Sequence, residues 1–379
     1  MVRAADNSTR GTQATVAMKG GGYYSERTRG AKHVIDNAAG MLTEAVAALP
    51  EPRPRERLGI ADFGAADGGT SKQTIYQTVA ALRARFPSPP ITVTYTDLPG
   101  NDYSTLFRNI TGLSGFTEHN YLDDFDNVFV NACGMGFHRQ LLPDASLDLG
   151  FSATAMHYIS EKPCQIENHV HMVGASGPAF KAFSERAAED WNHILLARSA
   201  ELKPGGRLVF MNFGIDEQGR YLGNTGGVNM FDTFNALWTA MGKEGLLSDK
   251  EVIAATFAQY YRTREVFCAP LLDDTSSVYR SGLRLVSAHT GVVPCPYRAA
   301  FEQADGAMNA REFAVSYIPT LRSWSETVFA NALDPDRPRT ERDQLIDLFY
   351  QRYQDQVAED PTGHAMDYVH CYLAIEKVV

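Results

Sequence analysis

The chain has 379 residues, a formal net charge of -10 and no run of Lys or Arg, which argues against a nucleic-acid partner. No stretch approaches the ~18 apolar residues of a membrane span, so no membrane partner is expected. Five scattered Cys without C-x-x-C spacing favour a reducing cytoplasm over a disulfide framework, and they offer no metal site.

Helices and strands alternate along the chain. The polar segment 1–17 is expected to be a flexible N-terminus, and residues 32–49 predict a helix that ends at Pro50. A second helix is predicted to end near Arg85. Short apolar runs rich in β-branched residues predict the strands, which span 58–63, 91–97, 127–131, 147–152, 207–213 and 367–379.

This alternation predicts the fold class. Strands that alternate with helices from 58 to 213 favour an α/β fold with an open, mostly parallel sheet and helices on both faces. Residues 18–213 and 341–379 are expected to form this domain. The stretch 214–340 reads as mainly helical, and it predicts a cap over the carboxyl edge of the sheet.

A glycine-rich turn follows the first strand. The sequence IADFGAADGGTS (60–71) brings Asp62 to the strand end and then supplies Gly64 and Gly68 for a tight turn. The G-x-G-x-x-G motif of dinucleotide sites is absent, and carboxylates in the turn repel a diphosphate. They suit a ligand with an ammonium group and no phosphate, such as S-adenosylmethionine. An ordinary turn with a helix-capping Asp is the alternative interpretation.

The next strand also ends in an acid. In YTDLPGND (95–102) Asp97 stands one β-α-β unit after the glycine turn, where a carboxylate can accept hydrogen bonds from both ribose hydroxyls. The alternative is an Asp that caps a turn at a strand end. Together, the two motifs favour a nucleoside ligand.

Five segments resemble the SABATH family of S-adenosylmethionine-dependent carboxyl methyltransferases. They read MKGGGYYSERT (18–28), IADFGAADGG, DLPGNDYSTLF (97–107), GFHRQLLPDASLDLGFSATAMHYIS (136–160) and LKPGGRLVF. The resemblance implies a class I methyltransferase (Rossmann-like) sheet with a helical cap, commonly as a homodimer. It also implies methyl ester formation on a small-molecule carboxylic acid by direct in-line transfer.

The resemblance assigns roles to individual residues. His157 and Tyr158 are expected to anchor the acceptor oxygen as catalytic and substrate-binding residues, although a buried core His is the plain alternative. The other substrate-binding residues implied are Thr154, Met230 and Phe231, the last two of which could equally be helix core. The cofactor-binding residues implied are Tyr24, Thr28, Asp62, Gly64, Gly68, Thr70, Asp97, Leu98, Gly136 and Phe137.

The sequence departs from the family pattern in the cofactor turn and at three acceptor positions. The turn reads A-A-D-G-G-T where the family has C-S-S-G-P-N, but its acids and glycines remain, so the cofactor assignment holds. Ala31 stands where a Gln holds the carboxylate, Thr154 replaces a Tyr, and Tyr158 replaces a Trp. The three acceptor changes bear on the identity of the acceptor. They keep open a methyltransferase acting on a hydroxyl or ring nitrogen. A non-catalytic scaffold that keeps the fold is a second alternative, and a nicotinamide dehydrogenase is disfavoured by the missing glycine motif.

Overall fold

The computed structural model describes residues 29–114 and 119–378. The predicted cofactor residues Tyr24 and Thr28 lie outside these ranges. The strands are β1 (Leu58–Phe63), β2 (Ile91–Asp97), β3 (Val128–Gly134), β4 (Leu147–Ala153), β5 (Leu202–Ile215), β6 (Arg262–Thr263), β7 (Leu283–Val293) and β8 (Tyr368–Lys377).

The helices of the described residues fall into two groups. The first group comes before β5 and contains α1 (Arg29–Asn37), α2 (Ala39–Ala48), α3 (Lys72–Arg85), α4 (Tyr103–Ile110), α5 (Tyr121–Asp124) and α6 (Gly177–Glu201). The second group contains α7 (Met230–Lys243), α8 (Asp249–Ala254), α9 (Arg264–Leu272), α10 (Ser277–Arg280), α11 (Pro296–Gln303), α12 (Ala310–Ala332) and α13 (Arg339–Glu359). The single helix predicted at 32–49 is thus two helices that meet at Ala38.

One mixed sheet organises these elements. Its strand order is β3-β2-β1-β4-β5-β8-β7, with β8 antiparallel to both of its neighbours and the first five strands parallel. The short β6 pairs with β5 off this path. All six residues of β1 are buried, as expected for a strand covered on both faces. The predicted mostly parallel α/β fold is confirmed.

The strand order fixes where a ligand can bind. The chain leaves β1 towards β2 on one side, whereas β4 lies on the other side of β1. The crevice at such a reversal, outside the carboxyl ends of the strands, is where open α/β sheets bind ligands. Asp62 on β1, Asp97 on β2 and Ala153 on β4 all stand at this edge.

The second half of the chain is not purely a cap. Helices α7, α12 and α13 pack through an aromatic cluster in which the Phe329 and Phe349 rings lie 4.3 Å apart and Trp238 meets Phe349 edge-on at 5.3 Å. Within the predicted cap range 214–340, however, β7 pairs with β8 in the central sheet. The sequence did not predict β7 because it is a partly exposed edge strand without a continuous apolar run. The domain limits stay a prediction.

Two kinds of feature are absent from the described residues. Their helices include none with the length and apolar character needed to span a bilayer. Residues 29–114 and 119–378 also contain no group of three or more His, Cys, Asp or Glu side chains placed to hold a metal ion.

Candidate active site

A cavity of about 990 Å³ opens at the carboxyl edge of the sheet. Six of the predicted cofactor residues line it, namely Gly64, Thr70, Asp97, Leu98, Gly136 and Phe137. They come from the ends of β1 and β2 and from the loop after β3. Ala31 of α1 also lines this cavity. We refer to it below as the cofactor cavity.

The glycine turn wraps closely around the end of β1. Gly64 has φ +85°, and both its N–H and that of Ala65 donate to the Thr96 carbonyl, at 2.9 and 3.0 Å. A Cβ added to Gly64 would lie 2.5 Å from the Ala155 Cβ. Only glycine fits both the left-handed backbone and this close approach.

Gly68 serves the turn rather than the cavity lining. It has φ +69°, and its N–H donates to the Ala65 carbonyl at 2.8 Å. A Cβ at this position would point towards Ile110 and Leu106, both 3.5 Å away. Gly68 therefore shapes the loop that carries the neighbouring cavity residues.

Asp62 is a buried carboxylate next to the turn. Its Oδ2 accepts a hydrogen bond from the Ser71 hydroxyl at 2.6 Å. Burial raises its pKa to about 7, and the negative charge of Asp97 adds to the rise. No basic side chain within the described residues forms an ion pair with it. Asp62 does not line the cavity itself, but an acid held in this way suits a cationic group close by.

Asp97 faces the cavity with both oxygens fixed. Oδ2 accepts from the Ala66 N–H and Oδ1 from the Leu98 N–H, each at 2.7 Å. Burial raises the pKa of Asp97, and these two backbone donors oppose the rise. Asn101, which was not predicted, donates to the Ala66 carbonyl at 2.7 Å and also lines the cavity. The remaining lone pairs of Asp97 can accept from paired hydroxyls.

The chemistry of the cavity fits S-adenosylmethionine. Of the described residues that line it, none is Lys or Arg, and Asp97 is its acid. A diphosphate would be left without cations at this edge, whereas a ribose and an ammonium group would find carboxylates. Asp97 and Leu98 would hold the ribose end, and Gly64, Thr70 and Asp62 would surround the amino acid end.

A second cavity of about 350 Å³ adjoins the first. Thr154 and Tyr158 line both cavities, so the two spaces meet at this pair of residues. The rest of the second lining is mostly aromatic and apolar and comprises Phe213, Leu222, Tyr261, Trp324, Met366 and Tyr368, with His157 and Gln259 as polar members. We call this space the acceptor cavity.

His157 presents a neutral imidazole to the acceptor cavity. Its Nδ1 is buried and has no hydrogen-bond partner in the described part of the chain. Burial lowers its pKa well below the usual value, and the nearby Arg262 guanidinium acts in the same direction. The ring lies 4.5 Å from Tyr158 and meets Phe213 edge-on at 4.9 Å. At neutral pH it can donate one hydrogen bond without carrying a charge.

Thr154 is held in an unusual conformation where the cavities meet. Its φ is +57°, which is rare for a β-branched residue, and its N–H donates to the Met211 carbonyl at 2.7 Å. Its hydroxyl lies 3.1 Å from His370 Nε2. Strain of this kind concentrates at functional sites. His370 was missed because it belongs to the distant strand β8.

Two predicted substrate residues lie apart from both linings. Met230 and Phe231 at the start of α7 are buried and line neither cavity. Phe231 stacks on His171 with ring centroids 3.9 Å apart. His171 stands between Phe231 and Tyr261, whose ring lies 4.7 Å from the imidazole. A direct substrate role for Met230 and Phe231 stays a prediction.

The chain is similar to a family of known proteins along most of its length. A family model described as SAM dependent carboxyl methyltransferase matches residues 13–377. The chain belongs to this family. A benzoic acid/salicylic acid carboxyl methyltransferase of Petunia hybrida is 22% identical over 333 residues, or 85% of this chain and 86% of its own. A loganic acid O-methyltransferase of Catharanthus roseus is 22% identical over 303 residues, or 74% and 76%.

A solved structure agrees with the fold. A loganic acid methyltransferase with SAH matches with a TM-score of 0.72 at 19% identity, over 95% of this chain and 98% of that one. The predictions of the SABATH family, of S-adenosylmethionine as cofactor and of carboxyl methylation are confirmed. The protein is therefore an S-adenosylmethionine-dependent carboxyl methyltransferase. The scaffold and dehydrogenase alternatives are not retained.

Proposed function

We propose that this carboxyl methyltransferase esterifies a small carboxylic acid with a planar apolar body, bound in the acceptor cavity. The observation that supports the proposal most directly is that the two cavities share lining residues. Thr154 and Tyr158 line both cavities, so an acid held beside them lies next to the cofactor cavity. His157 and Tyr158 would anchor one carboxylate oxygen by hydrogen bonds.

The lining of the acceptor cavity suits this chemistry. When bound, S-adenosylmethionine supplies an electrophilic methyl group on a sulfonium cation. A carboxylic acid with a pKa near ~4 is already ionised at neutral pH, so no general base is needed. His157 and Gln259 offer neutral hydrogen bonds, and none of the described lining residues is Lys or Arg. The protein therefore holds the acid without a permanent ion pair, and its aromatic lining excludes water.

The aromatic lining supports a planar acid. Phe213 and Tyr368 stack with centroids 5.4 Å apart, and Trp324 adds a third large ring. The names of two relatives, which act on benzoic or salicylic acid and on loganic acid, support cyclic acids as a class. Ala31, which lines the cofactor cavity, has no polar group with which to bind the acid. His157 and Tyr158 would therefore anchor the acid.

An acid panel with methyl-labelled cofactor tests this proposal. We expect the label in a product that mild alkali releases as methanol, because an ester is alkali-labile whereas an aryl ether or N-methyl product is not. Aromatic acids should exceed unbranched aliphatic acids. A labelled product that survives alkali would instead support a hydroxyl or ring nitrogen as acceptor.

Removing the anchors should slow the reaction without loss of the cofactor. We expect His157→Ala to lower kcat/KM for the acid about 100-fold, since a hydrogen bond to a charged oxygen contributes up to about 3 kcal/mol and also holds the carboxylate in position. Tyr158→Phe should lower it about tenfold, the lower end of the range for a hydrogen bond to a charged oxygen. The affinity of His157→Ala for S-adenosylhomocysteine should stay unchanged. His289→Ala, on an exposed part of β7, is the control. Full activity in both variants would show that His157 and Tyr158 do not anchor the acid.

The pH profile separates a carboxylate from a phenol. Because burial keeps the pKa of His157 well below its usual value, His157 is neutral throughout the range from about pH 6 to 8.5. At saturating cofactor we therefore expect a flat kcat over this range. A limb that rises with pH would indicate a group that must lose a proton, which favours a hydroxyl acceptor.

We infer that the protein works as a cytoplasmic homodimer. All five Cys side chains are free thiols, which supports a reducing compartment. β3 is an edge strand of the sheet and its Phe129 is more than half exposed, so its open edge is the surface on which a second copy could pair. Light scattering on the purified protein would test the dimer, and Phe129→Lys should favour the monomer.

A further inference from the structure

One side of the long helix α6 carries three buried charged residues. Asp190, Arg198 and Glu201 are at most 1% exposed. They are eight and three residues apart, a spacing that puts all three on the same side of a helix. Asp190 and Arg198 stand about 12 Å apart along the axis. Each end of this row contacts a different loop of the active site.

Arg198 and Glu201 hold the loop of the cofactor cavity. The Arg198 guanidinium binds both Glu201 oxygens, at 2.6 and 2.7 Å. It also donates to the carbonyls of Phe137 and Arg139, at 3.0 and 2.9 Å. Glu201 Oε1 accepts from the N–H groups of Leu141 and Leu142, at 2.6 and 3.1 Å. Four backbone groups of residues 137–142 are thus fixed by one ion pair.

Asp190 holds the loop between the two cavities, in which His157 lines the acceptor cavity, Ser160 lines the cofactor cavity and Tyr158 lines both. Its two oxygens accept from the N–H and the hydroxyl of Ser160, each at 2.7 Å. Ser160 follows Tyr158 by two residues. A second link comes from Arg262, which donates to the Ala187 carbonyl of α6 at 2.6 Å and to the Met156 carbonyl at 3.4 Å. Residues 156–160, which include His157, are therefore tied to the same helix.

We propose that α6 positions both loops and thereby sets the distance between methyl donor and acceptor. A buried ion pair is poor evidence for stability, because apolar residues of similar size often stabilise as well. Arg198 and Glu201 direct their polar atoms at loop backbone, which an apolar pair could not do. Asp190, Arg198 and Glu201 are thus positioning residues. This inference rests on the proposed roles of Phe137, His157 and Tyr158.

Variants at the two ends of the row should affect the two ligands to different extents. Arg198→Lys keeps a positive charge beside Glu201 but loses the fork that reaches both carbonyls. We expect the Kd of S-adenosylhomocysteine to rise about tenfold or more, while KM for the acid at saturating cofactor changes less than about twofold. Glu201→Gln keeps one acceptor oxygen and should give a smaller rise in the same Kd.

Asp190→Asn should affect the acid more strongly than the cofactor. Asn keeps one acceptor for Ser160 and loses the other. We expect kcat/KM for the most reactive acid of the panel to fall about tenfold, and the Kd of S-adenosylhomocysteine to rise by a smaller factor, because Tyr158 and Ser160 also line the cofactor cavity. Calorimetry with S-adenosylhomocysteine needs no acceptor. A failure of the proposed acid specificity would therefore leave the test at Arg198 intact.

Ile194→Val is the matched control. Ile194 is buried on α6 between Asp190 and Arg198. Replacing it with Val removes one methyl group, which weakens packing without removing a hydrogen bond. It should lower the Tm and leave both ligand constants near the parent values. The proposal is overturned if Arg198→Lys changes both constants equally, or if either Arg198→Lys or Asp190→Asn changes neither constant, once circular dichroism shows that the variants are folded.

Discussion

Asp62→Asn is expected to stabilise the cofactor-free protein while it weakens cofactor binding. Burial raises the pKa of Asp62 from 3.8 to about 7 in the folded protein. An acid with a raised folded pKa destabilises the folded state once it ionises, so this penalty grows as the pH rises from about 4 to 7. Three pKa units correspond to at most about 4 kcal/mol at pH 7 and above. Asn removes this penalty and can still accept from the Ser71 hydroxyl.

Cofactor binding should change in the other direction. The ionised Asp62 attracts an ammonium group, and Asn does not. We expect the Kd of S-adenosylhomocysteine to rise about 100-fold at pH 8, the order expected for losing a buried charged partner. In the parent protein the affinity should fall by up to about tenfold per pH unit below pH 7, because Asp62 then takes up a proton. In Asp62→Asn this pH dependence should be absent.

Calorimetry between pH 6 and 8.5 and thermal unfolding without ligand measure both effects. Asp148→Asn is the matched control, because Asp148 is a buried acid at the start of β4, where its Oδ2 pairs with Lys203 at 2.8 Å and accepts from the Gly59 N–H at 2.7 Å. That variant should keep its ligand affinity, because Asp148 stands at the start of β4 and does not line the cofactor cavity. If Asp62→Asn binds S-adenosylhomocysteine like the parent, Asp62 does not serve the ammonium group. If it lowers the Tm, the ionised carboxylate does not destabilise the folded protein.

The cofactor half of the site could be predicted because its signals are local. Asp62 and Asp97 lie at the ends of β1 and β2, Gly64 directly follows β1, and the strand order brings all three to one edge. A turn of this kind needs glycine because its backbone adopts a positive φ, and a short sequence motif shows where that glycine lies. The same rule did not separate Gly64, which lines the cavity, from Gly68, which only shapes the turn.

The acceptor half could not be predicted in the same way. Trp324 and Tyr368 lie more than 160 residues after His157 in the chain and line the same cavity through tertiary packing. No local sequence pattern predicts this arrangement. Met230 and Phe231 match the family pattern in the sequence, but both are buried outside the two cavity linings, and Phe231 stacks on His171. An aromatic residue in a helix looks the same in sequence whether it lines a cavity or fills the core.

Gly64→Ala is expected to abolish measurable cofactor binding. Its new Cβ would lie 2.5 Å from the Ala155 Cβ, so β1 and the loop after β4 would have to separate where both line the cofactor cavity. The left-handed backbone at Gly64 adds strain of about 1–2 kcal/mol for alanine. This strain and the overpacking together should lower the free energy of unfolding by roughly 2–5 kcal/mol. Calorimetry with S-adenosylhomocysteine and thermal unfolding measure the two effects.

A second substitution at the same contact separates the steric clash with Ala155 from the backbone strain at residue 64. Ala155→Gly removes the opposing Cβ, so the double variant Gly64→Ala/Ala155→Gly should regain part of the stability and some affinity, while the cost of the positive φ at residue 64 persists. Gly40→Ala is the control, because Gly40 lies in α2 with no atom within 4 Å of an added Cβ and should gain up to about 1 kcal/mol. Parent-like binding in Gly64→Ala would mean that the turn does not press against Ala155, and the cofactor cavity would then have a different shape.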